Sequence, residues 1–288
     1  MTPPTSARIR RLTEILYVPV VAVVGFVGIG ILAGNHRSWI PLVVIAVVGM
    51  TFAAERLAPF SSEWNLGGPD LGADGLHAVV NESVTVLGIL AVPMMVDAVP
   101  MGGGWPTDAT FAIRLVIGVT VLDAGVTMAH WLSHRRAMLW RFHAVHHGAR
   151  RLYGLNGLMK HPVHLIVETA AGMAPLIVLG IDEVVAAALA GFVAVQLVLQ
   201  HTNVNCSVGP LGRWLALSSG HRLHHRAEEI EGNVNFGLFT LVWDRLLGTY
   251  RVPDHSNPRP TVGIAGRAPM PSSYLEQLAM PWSRVGRG

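Results

Sequence analysis

The chain has 288 residues, 51% of them hydrophobic and only 14% charged, with a mean hydropathy of +0.44, a net charge of +3 and a pI near 9.5. Soluble domains carry about 25% charged residues, so the composition excludes an ordinary soluble domain and points to lipid. The basic surplus is nearly all arginine, with Lys160 the only lysine, and it lies beside apolar segments, as at a membrane surface and not a nucleic-acid site.

The polar, basic N-terminus carries Arg8, Arg10 and Arg11. An uncharged run from Ile15 to Asn35 follows, long enough to cross a hydrocarbon core of about 30 Å. It is too long for the usual apolar region of a signal peptide, and more spans follow, so it reads as a retained first span. A second span runs from Trp39 to Ala54, then a polar Gly/Pro loop over 55–75. A third covers Leu76 to Val99, a Gly-rich turn covers Met101 to Thr107, and a fourth runs from Phe111 to Trp131. After a histidine-rich block at 130–147 comes an apolar helical hairpin, Val163 to Ile181 and Val184 to Gln200, broken at Gly180, Asp182 and Glu183. A Gly/Pro turn at 208–212 and the element HRLHH at 221–225 precede a Pro-, Gly- and Arg-rich tail, with a short helix near Ser273 to Leu278. The sequence therefore divides into N-terminal spans (1–114), a histidine-rich region (115–251) and an irregular tail (252–288). Arginines crowd the N-terminus and the histidine block and are missing from the turns at 101–107 and 180–183. The N-terminus, histidine segments and tail are thus expected on the cytoplasmic side, with Arg37 the exception. The arginine bias fits a GC-rich bacterial genome, hence a multi-pass protein of a bacterial cytoplasmic membrane. The single cysteine, Cys206, excludes an intramolecular disulfide and a cysteine-ligated zinc or iron–sulfur site.

The block HWLSHRRAMLWRFHAVHH places His130, His134, His143, His146 and His147 within eighteen residues. His130 and His134 are four apart and share a helical face. His143, His146 and His147 stand at i, i+3 and i+4, and His221, His224 and His225 repeat that spacing; apart from this element there are no internal repeats. His201 lies between the groups. Imidazole is the commonest protein metal ligand, and nine of them suffice for two metal ions. Zinc, copper, nickel and iron all accept imidazole. A hydrolytic zinc site keeps three protein ligands and an open position, and no histidine here is followed by glutamate as in H-E-x-x-H. Two irons at the mouth of a lipid-facing bundle suit oxygen activation and attack on an unactivated C–H bond. The competing readings are a membrane metal-binding or transport protein, which needs ionisable residues across the bilayer, and a membrane zinc hydrolase, which lacks a general-base glutamate.

H-x-x-x-H at 130–134, LWRFHAVHH at 139–147, HP at 161–162, HTN at 201–203, HRLHH at 221–225, NFG at 235–237 and WDRLLGTY at 243–250 resemble, in order and spacing, the fatty acid hydroxylase / sterol desaturase superfamily of integral-membrane di-iron enzymes. Pro260 with VGI at 262–264 also resembles family members. The resemblance implies an all-α integral membrane protein: a four-helix base plus a membrane re-entering hairpin, capped by a cytosolic, helical, histidine-rich metal site. It implies an oxidoreductase that uses O2 to hydroxylate or desaturate a lipid (a sterol or hopanoid, a fatty acyl chain or a carotenoid), with a slight lean to hydroxylation. Two irons are the implied cofactor, which zinc can replace in purified protein. Electrons come from an external donor, a ferredoxin or a b-type cytochrome with its reductase. Carried over by position, His130, His134, His143, His146, His147, His201, His221, His224 and His225 become the ligands through which catalysis runs. Asn205 stands four residues after His201, on the same helical face, and some members have a histidine there, which brings Asn205 to the second metal directly or through water. Thr127, Met128 and Trp131 depart from the family pattern before the block, which leaves the substrate subclass open.

Asp123, seven residues before His130, is expected either to orient a ligand imidazole or to accept an N–H at the helix interface. Glu82 and Glu168 lie in apolar segments, as relay or ligand-orienting groups or as interfacial residues. His161 and His164 read as headgroup-level residues, and His36, His77 and His255 as non-ligands. Trp140, Trp243 and Tyr250 read as packing and interfacial anchors, Asn235 and Asp244 as polar groups that fix the fold.

Overall fold

Small residues along one helix set the architecture. Helix α8 (Glu183–His201) carries Ala186, Ala187, Ala188, Gly191 and Ala194, and 78% of its apolar window is buried, against 11–33% for the other long helices. A helix apolar on all sides is stable only when others surround it. The computed structural model describes residues 3–99, 103–206, 209–227, 232–252, 261–266 and 270–283; Met101, His255 and Pro260 lie outside them. The protein is mostly helical, with no strand among the described residues beyond isolated bridges such as Pro59 with Val204.

Six stretches are long and apolar enough to cross a membrane: Ser6–Asn35, Arg37–Leu57, Leu71–Asp97, Phe111–Arg135, Pro162–Leu179 and Glu183–His201. The first is built from α1 (Pro3–Val21), a π-helical segment (Ala22–Val27) and α2 (Gly28–Asn35). The others are α3 (Ile40–Leu57) with its preceding turn, α4 (Leu71–Asp97), α5 (Phe111–Arg135), α7 (Pro162–Leu179) and α8; α6 (Ala137–His147) links α5 to the loop before α7. The polar loop expected at 55–75 is shorter than the sequence indicates, because α3 runs on to Leu57 and α4 starts at Leu71.

Contacts at the ends give the direction of each pass. At one end, Asp182 caps α8 by accepting from Val185 N (3.0 Å) and also takes Trp105 Nε1 (2.8 Å) and the Arg114 guanidinium, while Arg37 pairs with Glu183 at 2.9 Å. Gly180, at φ +88°, lets α7 end in a left-handed turn, with Gly180 N and Ile181 N donating to Ile177 and Leu176 carbonyls. At the opposite end lie the C-terminus of α8, the N-terminus of α7, the C-terminus of α5 and the whole of α6. Helices α5 and α7 meet at Gly125 and Gly172; a Cβ on Gly125 would stand 2.2 Å from the Ala171 carbonyl oxygen, so only glycine allows that approach.

The stretch 130–147 is two helices and not one. Arg136, extended at φ −123° and ψ 112°, separates α5 from α6 and folds the second histidine set back over the first. Behind this end, buried Glu55 accepts from Gly154 N (2.8 Å), Asn203 N (2.9 Å) and Thr202 Oγ1 (3.2 Å), stapling α3 to both loops that flank the histidines. The remaining helices are short: α9 (Ser218–His224), α10 (Val242–Leu247) and α11 (Tyr274–Ala279).

Replacing Glu55 with alanine strands three buried donors. An unmade buried hydrogen bond costs about 1–3 kcal/mol, so Glu55→Ala is expected to destabilise the protein by about 3 kcal/mol or more in reversible unfolding in detergent. A loss below about 0.5 kcal/mol, the usual range for an inert surface change, contradicts the staple.

Candidate metal centre

Histidine rings from four helices gather at the α5–α6 end in two groups. His130, His134, His143, His147 and His224 form one, and His146, His201, His221 and His225 the other; within each, one nitrogen per ring lies within 4.8 Å of the rest. The groups touch where His147 stacks on His225 with ring centres 4.4 Å apart, and His130 lies 6.4 Å from His221. All but His134 are buried. Every histidine of the two spaced clusters in the sequence, together with His201, is thus drawn to one place.

What the rings point at each other is informative. His130 Nδ1 donates to the Phe236 carbonyl (2.8 Å), His224 Nδ1 to Val234 (3.0 Å), His146 Nδ1 to Met159 (2.9 Å) and His201 Nδ1 to Leu197 (2.8 Å). A carbonyl only accepts, so each of these rings carries its hydrogen on Nδ1 and a bare lone pair on Nε2. Yet His130 Nε2 and His224 Nε2 are 2.9 Å apart, and His146 Nε2 and His201 Nε2 are 3.1 Å apart. Two lone pairs at that distance repel unless a cation lies between them. Nitrogens bound about 2.1 Å from one cation at right angles are about 3.0 Å apart, and the other Nε2 separations are similar. His147 to His224 is 3.0 Å, His134 to His147 is 3.2 Å, His201 to His221 is 3.1 Å and His221 to His225 is 3.1 Å. Burial also pushes the imidazoles of His143, His146, His147, His221, His224 and His225 well below their ordinary pKa, so they stay neutral and available as ligands. The donor set fits a pair of metal ions.

Two of the carbonyls that lock the rings, those of Val234 and Phe236, come from a loop that is itself held by carboxylates. Asp244 accepts from Phe236 N (2.7 Å), Gly237 N (2.8 Å) and Thr249 Oγ1 (2.6 Å). Asn235 adopts φ +54°, a left-handed conformation that asparagine tolerates better than most residues, and bonds the Gly220 and Arg251 carbonyls. Asp123 accepts from Phe239 N, Thr240 N, Thr240 Oγ1 and Trp243 Nε1, at 2.8 to 3.2 Å. It touches no imidazole, so of the two roles expected of it the structure gives the N–H acceptor and not the ring-orienting one, and the side chain fixes the loop that offers the Phe236 carbonyl. The expectation for Asn205 is corrected. Helix α8 ends at His201, so the four-residue spacing does not continue a helical face; the Asn205 amide donates to Glu14 (3.0 Å), away from both groups.

His161 caps α7, its Nδ1 accepting from Val163 N, and bonds the Leu278 carbonyl; His77 bonds the Lys160 carbonyl and Gln277; neither belongs to the two groups. Glu82 is half-buried on α4. Trp140 packs on the rings of His134 and His147. The sequence reading missed Lys160 and undervalued His164 and Glu168, which meet behind His143; the one readable signal was the i, i+4 pairing of His164 with Glu168. Lys160 and Glu168 also line a small pocket between the two groups. Its floor is apolar (Val126, Leu197, Phe236 and Leu238), and its walls include His130, His143, His146, His201 and His221.

A sequence model described as fatty acid hydroxylase matches residues 115–249. An ornithine lipid hydroxylase from Rhizobium tropici is 31% identical over 98% of this chain and 88% of its own length. An alkylglycerol monooxygenase from Danio rerio is 28% identical over 62% of this chain and 43% of its own length. A Delta(7)-sterol 5(6)-desaturase from Saccharomyces cerevisiae is 29% identical over 46% of this chain and 35% of its own length. No solved structure matches. With near full-length similarity to a lipid hydroxylase, and histidine groups suited to metal at the end of a bundle of apolar helices, the chain belongs to the fatty acid hydroxylase family and is an oxidoreductase.

Proposed function

We propose that the chain is a two-iron, O2-dependent hydroxylase of a membrane lipid. The observation that carries this reading is the set of bare Nε2 atoms facing one another in two groups at about 3 Å, which the protein holds in place through carbonyls at Nδ1. One iron is assigned to His130, His134, His143, His147 and His224, the other to His146, His201, His221 and His225. Bound iron supplies the means to activate dioxygen against an unactivated C–H bond. In hydroxylation one oxygen atom enters that bond and the other leaves as water, with two electrons and two protons taken from an external donor, a ferredoxin or a b-type cytochrome with its reductase.

The residues of the chain do the positioning. Val126, Leu197, Phe236 and Leu238 give the pocket an apolar lining beside the rings that would hold the metals, a surface suited to a lipid methylene and to keeping water away from it. The near full-length relative is named for an ornithine lipid, which makes that class the first substrate to test and favours hydroxylation over desaturation. In the bilayer, α1 to α5 form the four-pass base and α7 with α8 the hairpin. The arginine distribution supports a cytoplasmic histidine end in a bacterial cytoplasmic membrane.

Purified protein is expected to hold two irons per chain and to consume oxygen in a lipid-dependent way when given a reductant. One zinc per chain with activity indifferent to oxygen favours a hydrolase and removes this reading. His146→Ala and His224→Ala, one from each group, should each abolish turnover while membrane insertion and yield stay at wild-type levels, because both rings serve the metals and not the bundle. Wild-type turnover in either variant refutes the ligand assignment.

A further inference from the structure

Four of the nine rings are locked by backbone carbonyls at Nδ1, but His143 is not. Its Nδ1 instead lies 2.7 Å from His164 Nε2, and its Nε2 is buried without a hydrogen-bond partner. The His143 ring packs edge to face against His130 (4.7 Å), His134 (4.9 Å) and His147 (4.6 Å), so this unpartnered nitrogen lies among members of the five-histidine group. Behind His164 stands a buried ion pair. Glu168 Oε1 is 3.2 Å from His164 Nε2, and Glu168 Oε2 accepts from Lys160 Nζ, with side-chain exposures of only 8% for the lysine and 5% for the glutamate.

We propose that His164 is a positioning residue for the five-histidine metal group. It holds His143 by accepting from Nδ1, in the role that a carbonyl plays for His130, His146, His201 and His224, and the buried Lys160–Glu168 pair packs against the same edge of His164. The chain His143–His164–Glu168–Lys160 joins α6 to the first half of α7 through polar contacts. A buried carboxylate with both oxygens engaged cannot shift without stranding a charge, so the position of His164 is fixed and, through it, the direction of His143 Nε2. A ligand at Nε2 requires the His143 hydrogen on Nδ1, so on the 2.7 Å line His143 Nδ1 donates to His164 Nε2 and leaves its own Nε2 bare. Among the described residues no such chain reaches the four-histidine group, so the effect is confined to one of the two metals. Partners of ligand imidazoles of this kind tune metal affinity by about 10–100-fold.

The inference rests on the two-metal reading, and its test separates the two. Full-length metal-free protein in detergent is titrated with Co²⁺ against a competing chelator, and the ligand-field bands of the two sites are followed. Wild type is expected to bind two ions. His164→Ala should keep one site at wild-type affinity, which also reports an intact fold, while the other weakens about 10–100-fold and its bands shift. His164→Gln, whose amide can still meet His143 Nδ1, should recover part of that loss, and Glu168→Gln should show a smaller loss at the same site. Two ions bound by His164→Ala with wild-type affinity and spectrum overturn the proposal. So does an equal loss at both sites in His164→Ala and His164→Gln alike, the mark of a purely structural role. Fewer than two ions in wild type overturns the two-metal reading itself.

Discussion

The structure turns on a repulsion it does not resolve by itself. In each group two neutral imidazoles whose hydrogens are committed to carbonyls bring their remaining lone pairs to within about 3 Å of one another, and the Nε2 atoms of two further rings come as close. An apolar bundle has no use for such an arrangement, because burying polar nitrogens without partners is costly. A cation inside each group converts the repulsion into attraction and satisfies the orphaned atoms together. Metal binding is therefore expected to couple to the folding of this end of the molecule.

The rest of the fold can be read as the means of holding that unfavourable arrangement ready. The loop 234–240 offers two of the ring-locking carbonyls, and three side chains grip it: Asp123 from α5, far away in the chain, Asp244 from α10 just beyond it, and Asn235 from within. Glu55 performs the same service for the loops beside His201 and His146, through Thr202, Asn203 and Gly154. These acids sit behind the site and not in it. The opposite end of the bundle has an ordinary arrangement of helix caps and ion pairs at Asp182 and Glu183.

Long apolar stretches with few charges were legible as spans because lipid penalises charge almost regardless of context, and the i, i+3, i+4 histidines were legible as face-sharing sets. The failures have physical causes. Asp123 shares a face with His130, but seven residues of helix span about 10 Å, too far for its carboxylate to reach the ring; its partners arrive from residues 239–243, which no spacing announces. Asn205 was placed by continuing a helix that stops at His201. The break at Arg136 has no glycine or proline to mark it; it became visible only through its backbone angles. His164 was undervalued because its partner, His143, lies on another helix, and pairing across helices is a property of packing.

The central claim is that the two histidine groups each enclose one iron. Anomalous scattering at the iron edge from the protein purified with its native metal tests it directly. The account predicts two iron peaks, one among the Nε2 atoms of His130, His134, His143, His147 and His224 and one among those of His146, His201, His221 and His225. A single peak, or metal bound elsewhere with these nitrogens left facing one another, would contradict it.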